Sequence, residues 1–308
     1  MSNNISASTI NELFLQKLNS PEGLEKVAQE GSAFIRQKLR EVSFARKIMN
    51  PQYVTKADLQ RSVNHDGLVK IVDIEPDSKA MAINFRGDSD WNYVTGDRFE
   101  IPFYMISSED FQKTEEELLA YDMPLTEVIE KNSVLDIQRV EDSKFITAAA
   151  AASTAASNDV TVGAPAAGNG EISKEKMKEM FDKLDGNNLR AETILMSSTS
   201  FNRLFLYSAT TVGDAVGSEV SVNGYTYSTL FGRKLVVTNK ADLLGGTGAT
   251  EKIYCFAGQD FLGQFNVLND VKFWIEKKKN IVSWAAYESI GMGIGNQNAC
   301  ASLLLSES

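Results

Sequence analysis

The chain has 308 residues, 43% hydrophobic and 23% charged, with 31 basic against 41 acidic side chains. Near-average values of this kind exclude a disordered or fibrous chain, and the length suits about two domains with a substantial core. A net charge of −10 argues against wrapping nucleic acid, which needs a basic surface to displace counterions.

No run approaches the ~18 consecutive apolar residues of a membrane helix. The first residues lack the charged and apolar stretches of a secretory signal. Two cysteines, Cys255 and Cys300, and one histidine, His65, are the only soft metal ligands. A zinc site takes about four such ligands, and these three share no ligand spacing. Both cysteines lie in apolar, strand-like text, where a free thiol behaves as a small buried hydrophobe. A Ser-His-Asp or Cys-His enzyme would need His65 as its base, but His65 sits in polar, turn-like text. The chain is poorly equipped as an enzyme, and no residue is assigned to a catalytic, cofactor or metal site.

In chain order, residues 1–52 read as a polar arm running into helix. Phe34, Ile35, Leu39, Val42 and Ile48 recur at roughly helical spacing, and Pro51 disfavours helix at Asn50. Residues 53–108 change to a period of two. Ile71 and Asp73 oppose Val72 and Ile74, and Met81, Ile83 and Phe85 share one face. A strand returns over 98–106, where Pro102 suggests an edge position. Such hairpins form a projecting β tongue, with Trp91 and Tyr93 in a loop where exposed aromatics make good interface anchors.

Residues 109–170 open as acidic helix: 109–147 carry eleven Asp and Glu against four Lys and Arg. Asp122 and Pro124 suit a helix start. Leu125, Val128, Ile129, Leu135, Ile137, Val140 and Ile146 then supply an apolar stripe. From Leu125 to Ala152 this predicts one helix of about 28 residues, roughly 42 Å long, against a usual ~11–12 residues. The alanine run passes into a Gly/Pro-rich linker over 162–170, the main domain boundary.

Residues 171–250 have α/β texture. Ser173 caps a helix carrying Met177, Met180, Phe181 and Leu184, a strand follows over 192–196, and the next helix bears Phe201, Leu204 and Phe205. A hairpin is predicted over 220–230 and a buried strand over 235–238, before a glycine loop at 245–250 that needs access to positive φ. Residues 251–308 are mostly strands, including 253–256, 271–275 and 281–287.

Several motifs invite sharper readings. Gly291, Gly293 and Gly295 do not fit G-x-G-x-x-G, and read instead as a strand whose missing side chains permit close packing. The Arg86, Gly87, Asp88 tripeptide is a turn. Asp182 to Gly186 mimics the start of a calcium loop without its terminal Glu, and reads as a helix ending at Gly186. Lys277, Lys278 and Lys279 form the only basic run. It is a solvated loop between strands or, functionally, a contact with the 109–147 acids of a neighbouring subunit.

The order of parts resembles the HK97-fold major capsid proteins of tailed double-stranded DNA phages. The resemblance is carried by residues 96–103 closing the tongue, 121–131 and 141–146 along the long helix, and 194–204 and 229–238 in the second half. It implies an α+β fold with an N-terminal arm (1–52), an extended β-hairpin E-loop (53–108), and a P-domain spine helix with linker (109–170). An A-domain (171–250) would follow, with C-terminal strands (251–308) returning to the P- and A-domains.

The implied function is a major capsid protein that self-assembles, through hexamers and pentamers, into an icosahedral shell around double-stranded DNA. Assembly would take place in the host cytoplasm and the product would be the virion. The DNA would be touched only weakly and non-specifically. Scaffolding, portal and decoration proteins are the implied partners, with no membrane and no cofactor. The short segment before the tongue suggests a separate scaffolding protein or none. Trp91, Tyr93, Lys277, Lys278 and Lys279 are the candidate inter-subunit contacts. An encapsulin-like compartment shares the fold and is the alternative; a two-domain α/β enzyme is a distant one.

Overall fold

The computed structural model describes residues 43–63, 65–75, 80–83, 87, 93, 96–120, 125–161, 172–204, 229–246 and 251–305. The predicted helical positions before 43, the Asp122 and Pro124 helix start, Phe85, Trp91, Phe205 and the first part of the 220–230 hairpin lie outside them. A short helix α1 (Phe44–Ile48) is capped by the Ser43 side chain and ends at Met49. Pro51 begins strand β1 (Pro51–Tyr53), consistent with its bias against helix at the preceding residue. Strands β2 (Gln60–Arg61), β3 (Leu68–Asp73) and β4 (Arg98–Ser107) build the tongue, followed by β5 (Phe111–Thr114) and α2 (Glu115–Ala120).

The spine helix α3 spans Leu125–Ala155, 31 residues, or about 46 Å at 1.5 Å per residue. Val134, Ile137, Phe145, Ala149 and Ala152 form its buried stripe, while Leu135 and Val140 are exposed. The sequence places those two on the apolar face. At 100° per residue they fall to either side of the line through 134, 137, 141 and 145, and the polar Gln138, Glu141 and Asp142 are buried instead.

Two sheets flank this helix. The first runs β1-β11-β12-β4-β3-β2, with β5 also paired to β12. Its centre is one long hairpin of β11 (Gly263–Lys278) and β12 (Ile281–Ile294). The second runs β6-β13-β10-β7-β9-β8, from β6 (Asp159–Thr161), β7 (Ala191–Ser197), β8 (Thr229–Leu230), β9 (Arg233–Thr238), β10 (Glu251–Ala257) and β13 (Cys300–Leu305). Here β7 and β9 are parallel, as are β6 and β13, and the other pairs are antiparallel.

Helix α4 (Lys174–Asp185) takes the Ser173 cap and buries Met177, Met180, Phe181 and Leu184. That spacing places all four on one face. Gly186 ends the helix in ordinary αR geometry, and the left-handed turn falls on Asn188 at φ 58°. Helix α5 (Ser198–Arg203) is capped by Ser197. Cys255 and Cys300 are free and buried, and burial pushes both thiols up to about 12. His65 Nδ1 accepts from Gly67 N at 3.0 Å, which closes a local turn.

Two local expectations change. Residues 111–114, read as the start of the acidic helix, form a strand, because β12 offers a ladder from Ile281 to Trp284. The edge expected at Pro102 narrows to its own position, which pairs with Val69 of β3 on one side only, although β4 as a whole lies between β12 and β3. Pro102 sits where β4 changes partner: residues 98–102 pair with β3 and 103–107 pair with β12. A missing N–H is tolerated at such a change.

Gly291 and Gly293 of β12, and Gly295 just beyond it, are close-approach positions. A Cβ at Gly291 would lie 2.7 Å from the Phe103 ring, and one at Gly293 3.0 Å from Ile101. One at Gly295 would lie 2.8 Å from Phe99. Alternate residues of β4 therefore seat on alternate glycines, which packs the base of the tongue onto the hairpin.

Candidate assembly surfaces and a buried charge junction

Period-two text places one residue in two on each face of a strand, and in the tongue much of that apolar text stays uncovered. Tyr93 is 93% exposed and Val63 90%. Leu68, Ile74, Met81 and Ile83 are also exposed. Ser62, Val69 and Ile101 are the buried positions among the described residues from 60 to 105.

A second apolar surface lies on the hairpin. Val271, Phe273 and Ile275 point into the core, so Lys272, Trp274 and Glu276 point outward. The register pairs Trp274 with Ala285, Lys272 with Tyr287, Met105 with Ser289 and Phe103 with Gly291. Trp274, Tyr287, Met105 and Phe103 thus share the outer face, with Trp274 43% and Met105 65% exposed. Sequence reading missed Trp274. The signal was present: it alternates with three apolar residues and is flanked by Lys272 and Glu276.

The predicted basic run ends the same hairpin. Lys277 forms an ion pair with Glu115 of its own chain, an acid of the 109–147 segment. Lys278 pairs across to Ile281 and is exposed. Lys279 occupies the left-handed region at φ 59°, an unusual place for a non-glycine residue. The Asn280 carbonyl of this turn accepts from Glu115 N at 2.9 Å, so the turn is tied to the start of α2. Of the five candidate contacts, Tyr93, Lys278 and Lys279 present free surface.

Beneath these surfaces a buried set of charges joins α1 to the spine. Arg46 is 5% exposed; its Nε donates to Glu141 at 2.8 Å and its Nη2 to Glu288. Its guanidinium lies 5.3 Å from the Phe265 ring centre. Asp142 accepts from Ser43 Oγ at 2.9 Å, Ala45 N at 3.0 Å and Lys240 Nζ at 2.6 Å.

Desolvation disfavours the charged form of every carboxylate here. Burial lifts Glu141 to about 7 against the pull of Arg46. Burial and repulsion from Glu141 lift Glu288 to about 8. Asp142 is raised by burial although Lys240 opposes the rise. Tyr104 is pushed up to about 12 by burial and by the two nearby glutamates. None of this was legible beforehand, because Arg46 stands 95 residues from Glu141 and 242 from Glu288.

A second polar tie fixes the end of the spine. Asp159 accepts hydroxyl hydrogen bonds from Ser153 at 2.6 Å, Thr154 at 2.7 Å and Ser302 at 2.6 Å. Burial opposes ionisation, but these hydroxyls hold the carboxyl below the usual aspartate range.

Comparison with known proteins gives a likeness in three dimensions alone. No family profile matches the sequence, and no curated protein matches it. Among solved structures, a chain of the capsid of Myoviridae phage XM1 is similar at 15% identity and TM-score 0.52, over 85% of this chain and 91% of that one. A chain from Mycobacterium phage Bobi is similar at 11% identity and TM-score 0.61, over 87% and 92%. A chain of the capsid of cyanophage P-SCSP1u is similar at 11% identity and TM-score 0.57, over 87% and 89%. This α+β chain therefore has the fold seen in phage capsid structures, along nearly its whole length.

Proposed function

We propose that this chain is the major capsid protein of a tailed phage, a subunit that self-assembles into the shell enclosing double-stranded DNA. The observation that carries the reading is the whole-chain likeness to chains of phage capsids. The exposed surfaces support it. A tongue with Val63, Leu68, Ile74, Met81, Ile83 and Tyr93 exposed carries apolar area that its own subunit leaves wet. Burying apolar area stabilises by about 25 cal/mol per Å², so a neighbouring copy is the natural place for it. The outer face with Trp274 and Met105 offers apolar area of the same kind.

On this reading the tongue is the E-loop, α3 is the P-domain spine, and residues 171–250 form the A-domain. The subunits group as hexamers and pentamers within an icosahedral head. Trp91, Tyr93, Lys278 and Lys279 are contacts to neighbours, whereas Lys277 acts through the Glu115 pair by holding the hairpin end in place. A net charge of −10 suits a wall that touches packaged DNA weakly, because like charges disfavour adsorption. Scaffolding, portal and decoration proteins are the remaining partners in the virion, which assembles in the host cytoplasm.

The test is negative-stain microscopy of the purified full chain, alone and with any scaffolding protein encoded beside it. Closed shells of uniform size are the expected result. A compact monomer under every assembly condition, with a radius of gyration near ~19 Å, overturns the proposal.

A further inference from the structure

The buried junction contains an unbalanced charge. Five ionisable groups meet where α1, the spine and β12 pack together: Arg46 and Lys240 against Glu141, Asp142 and Glu288. Asp142 is satisfied, since three donors reach it and Lys240 is its cation. Arg46 alone is left to serve both glutamates. Each glutamate is 0% exposed, and each keeps one oxygen, Glu141 Oε2 and Glu288 Oε2, without a hydrogen-bond partner. A buried carboxylate oxygen with no donor is costly, and one arginine cannot neutralise two buried anions.

We infer that the Glu141–Glu288 pair carries one shared proton in the folded subunit at neutral pH. Losing it loosens the seam that holds residues 43–49 against the spine and β12. Protonation of either carboxyl cancels the excess charge and converts an acceptor-only group into one that also donates. The groups around the pair reinforce its bias. Asp270 on β11 adds negative potential at Glu288 and Arg46. Tyr104 on β4 contributes no charge near neutrality, and the Lys144 ammonium lies 5.7 Å over its ring but is solvent-exposed and screened. Lys240 is engaged by Asp142.

The sign of the linkage follows. A carboxyl bound more tightly to its proton in the folded state favours folding at low pH, and that contribution is lost as pH rises. The window runs from the ordinary glutamate range to about 7–8. Because the two sites interact, the titration belongs to the pair rather than to either residue.

The inference concerns the subunit itself and holds whether or not the chain forms a shell. Infrared spectra of the full wild-type chain, titrated from mildly acidic to alkaline pH, read the C=O stretch of protonated carboxyl groups. A band that persists at neutrality and disappears near pH 7–8 is expected, absent in Glu288→Gln. Limited tryptic cleavage after Arg46 and Lys47, compared at one alkaline pH, reads the seam. Glu288→Gln should be cut several-fold more slowly than wild type, because the amide removes the charge that opens the junction. A wild-type spectrum with no protonated carboxyl at neutral pH overturns the inference without any variant. Equal alkaline cleavage of wild type and Glu288→Gln overturns the coupling to the seam.

Discussion

The body and the tongue are written in similar alternating text and use it oppositely. Along β11 and β12, Phe273, Ile275, Val282 and Trp284 close into the core, and Trp284 is wholly buried. Along the tongue, Leu68, Ile74, Met81 and Ile83 stay in solvent. The difference lies in what stands opposite. The hairpin has a 31-residue helix packed on its β12 strand, while Leu68, Ile74, Met81 and Ile83 are left uncovered by the described residues. Apolar periodicity states that a face is to be buried; whether its own chain or another copy buries it depends on placement.

The comparison breaks most sharply at the core. Trp284→Ala should cost the isolated subunit about 3–5 kcal/mol, read as a lowered midpoint in chemical denaturation. Gly291→Ala should cost about 1–3 kcal/mol, since its Cβ would meet the Phe103 ring at 2.7 Å. Phe103→Ala in the same chain should recover part of that loss. Asp159→Asn should cost about 1 kcal/mol at neutral pH, its hydrogen bonds being to a charged but partly solvated group. The Asp159 carboxyl is held below its ordinary range, so wild type loses this contribution as pH falls through the folded value. The gap between wild type and Asp159→Asn should therefore close in acid. Lys277→Ala should cost less than ~1 kcal/mol, as a partly exposed ion pair does.

The tongue should answer in the opposite way. Tyr93→Ser should leave subunit stability within about 0.5 kcal/mol while lowering the yield of closed particles by microscopy. Equal effects of Tyr93→Ser and Trp284→Ala on subunit stability would erase the distinction between the two regions.

Local rules read the elements well where one element supplied its own signal. Ser173 and the Met177, Met180, Phe181, Leu184 spacing define α4 without help from elsewhere. Gly291, Gly293 and Gly295 were legible as close-packing positions, although the residues they receive, Phe103, Ile101 and Phe99, were not. The strand at 111–114 was hidden because it is short, lies between acidic residues and leads into helix; pairing with β12 outweighs that local preference. Arg46, Glu141 and Asp142 drew no reading as buried groups, since nothing in a helical sequence marks a charged residue as buried until its partner is known.

By itself the sequence determined the period of such segments as the spine and α4, the approximate length of the spine, the buried apolar setting of Cys255 and Cys300, and the order of parts that resembles a capsid subunit. These depend on side-chain sequence over a few turns of chain, where backbone geometry sets which residues share a face. Only the tertiary structure decided which faces are covered, that Trp274 and Tyr93 are left outward, and that one arginine is set between two glutamates far from it in sequence. Such contacts depend on elements from distant parts of the chain meeting in one register, and local periodicity carries no record of that meeting.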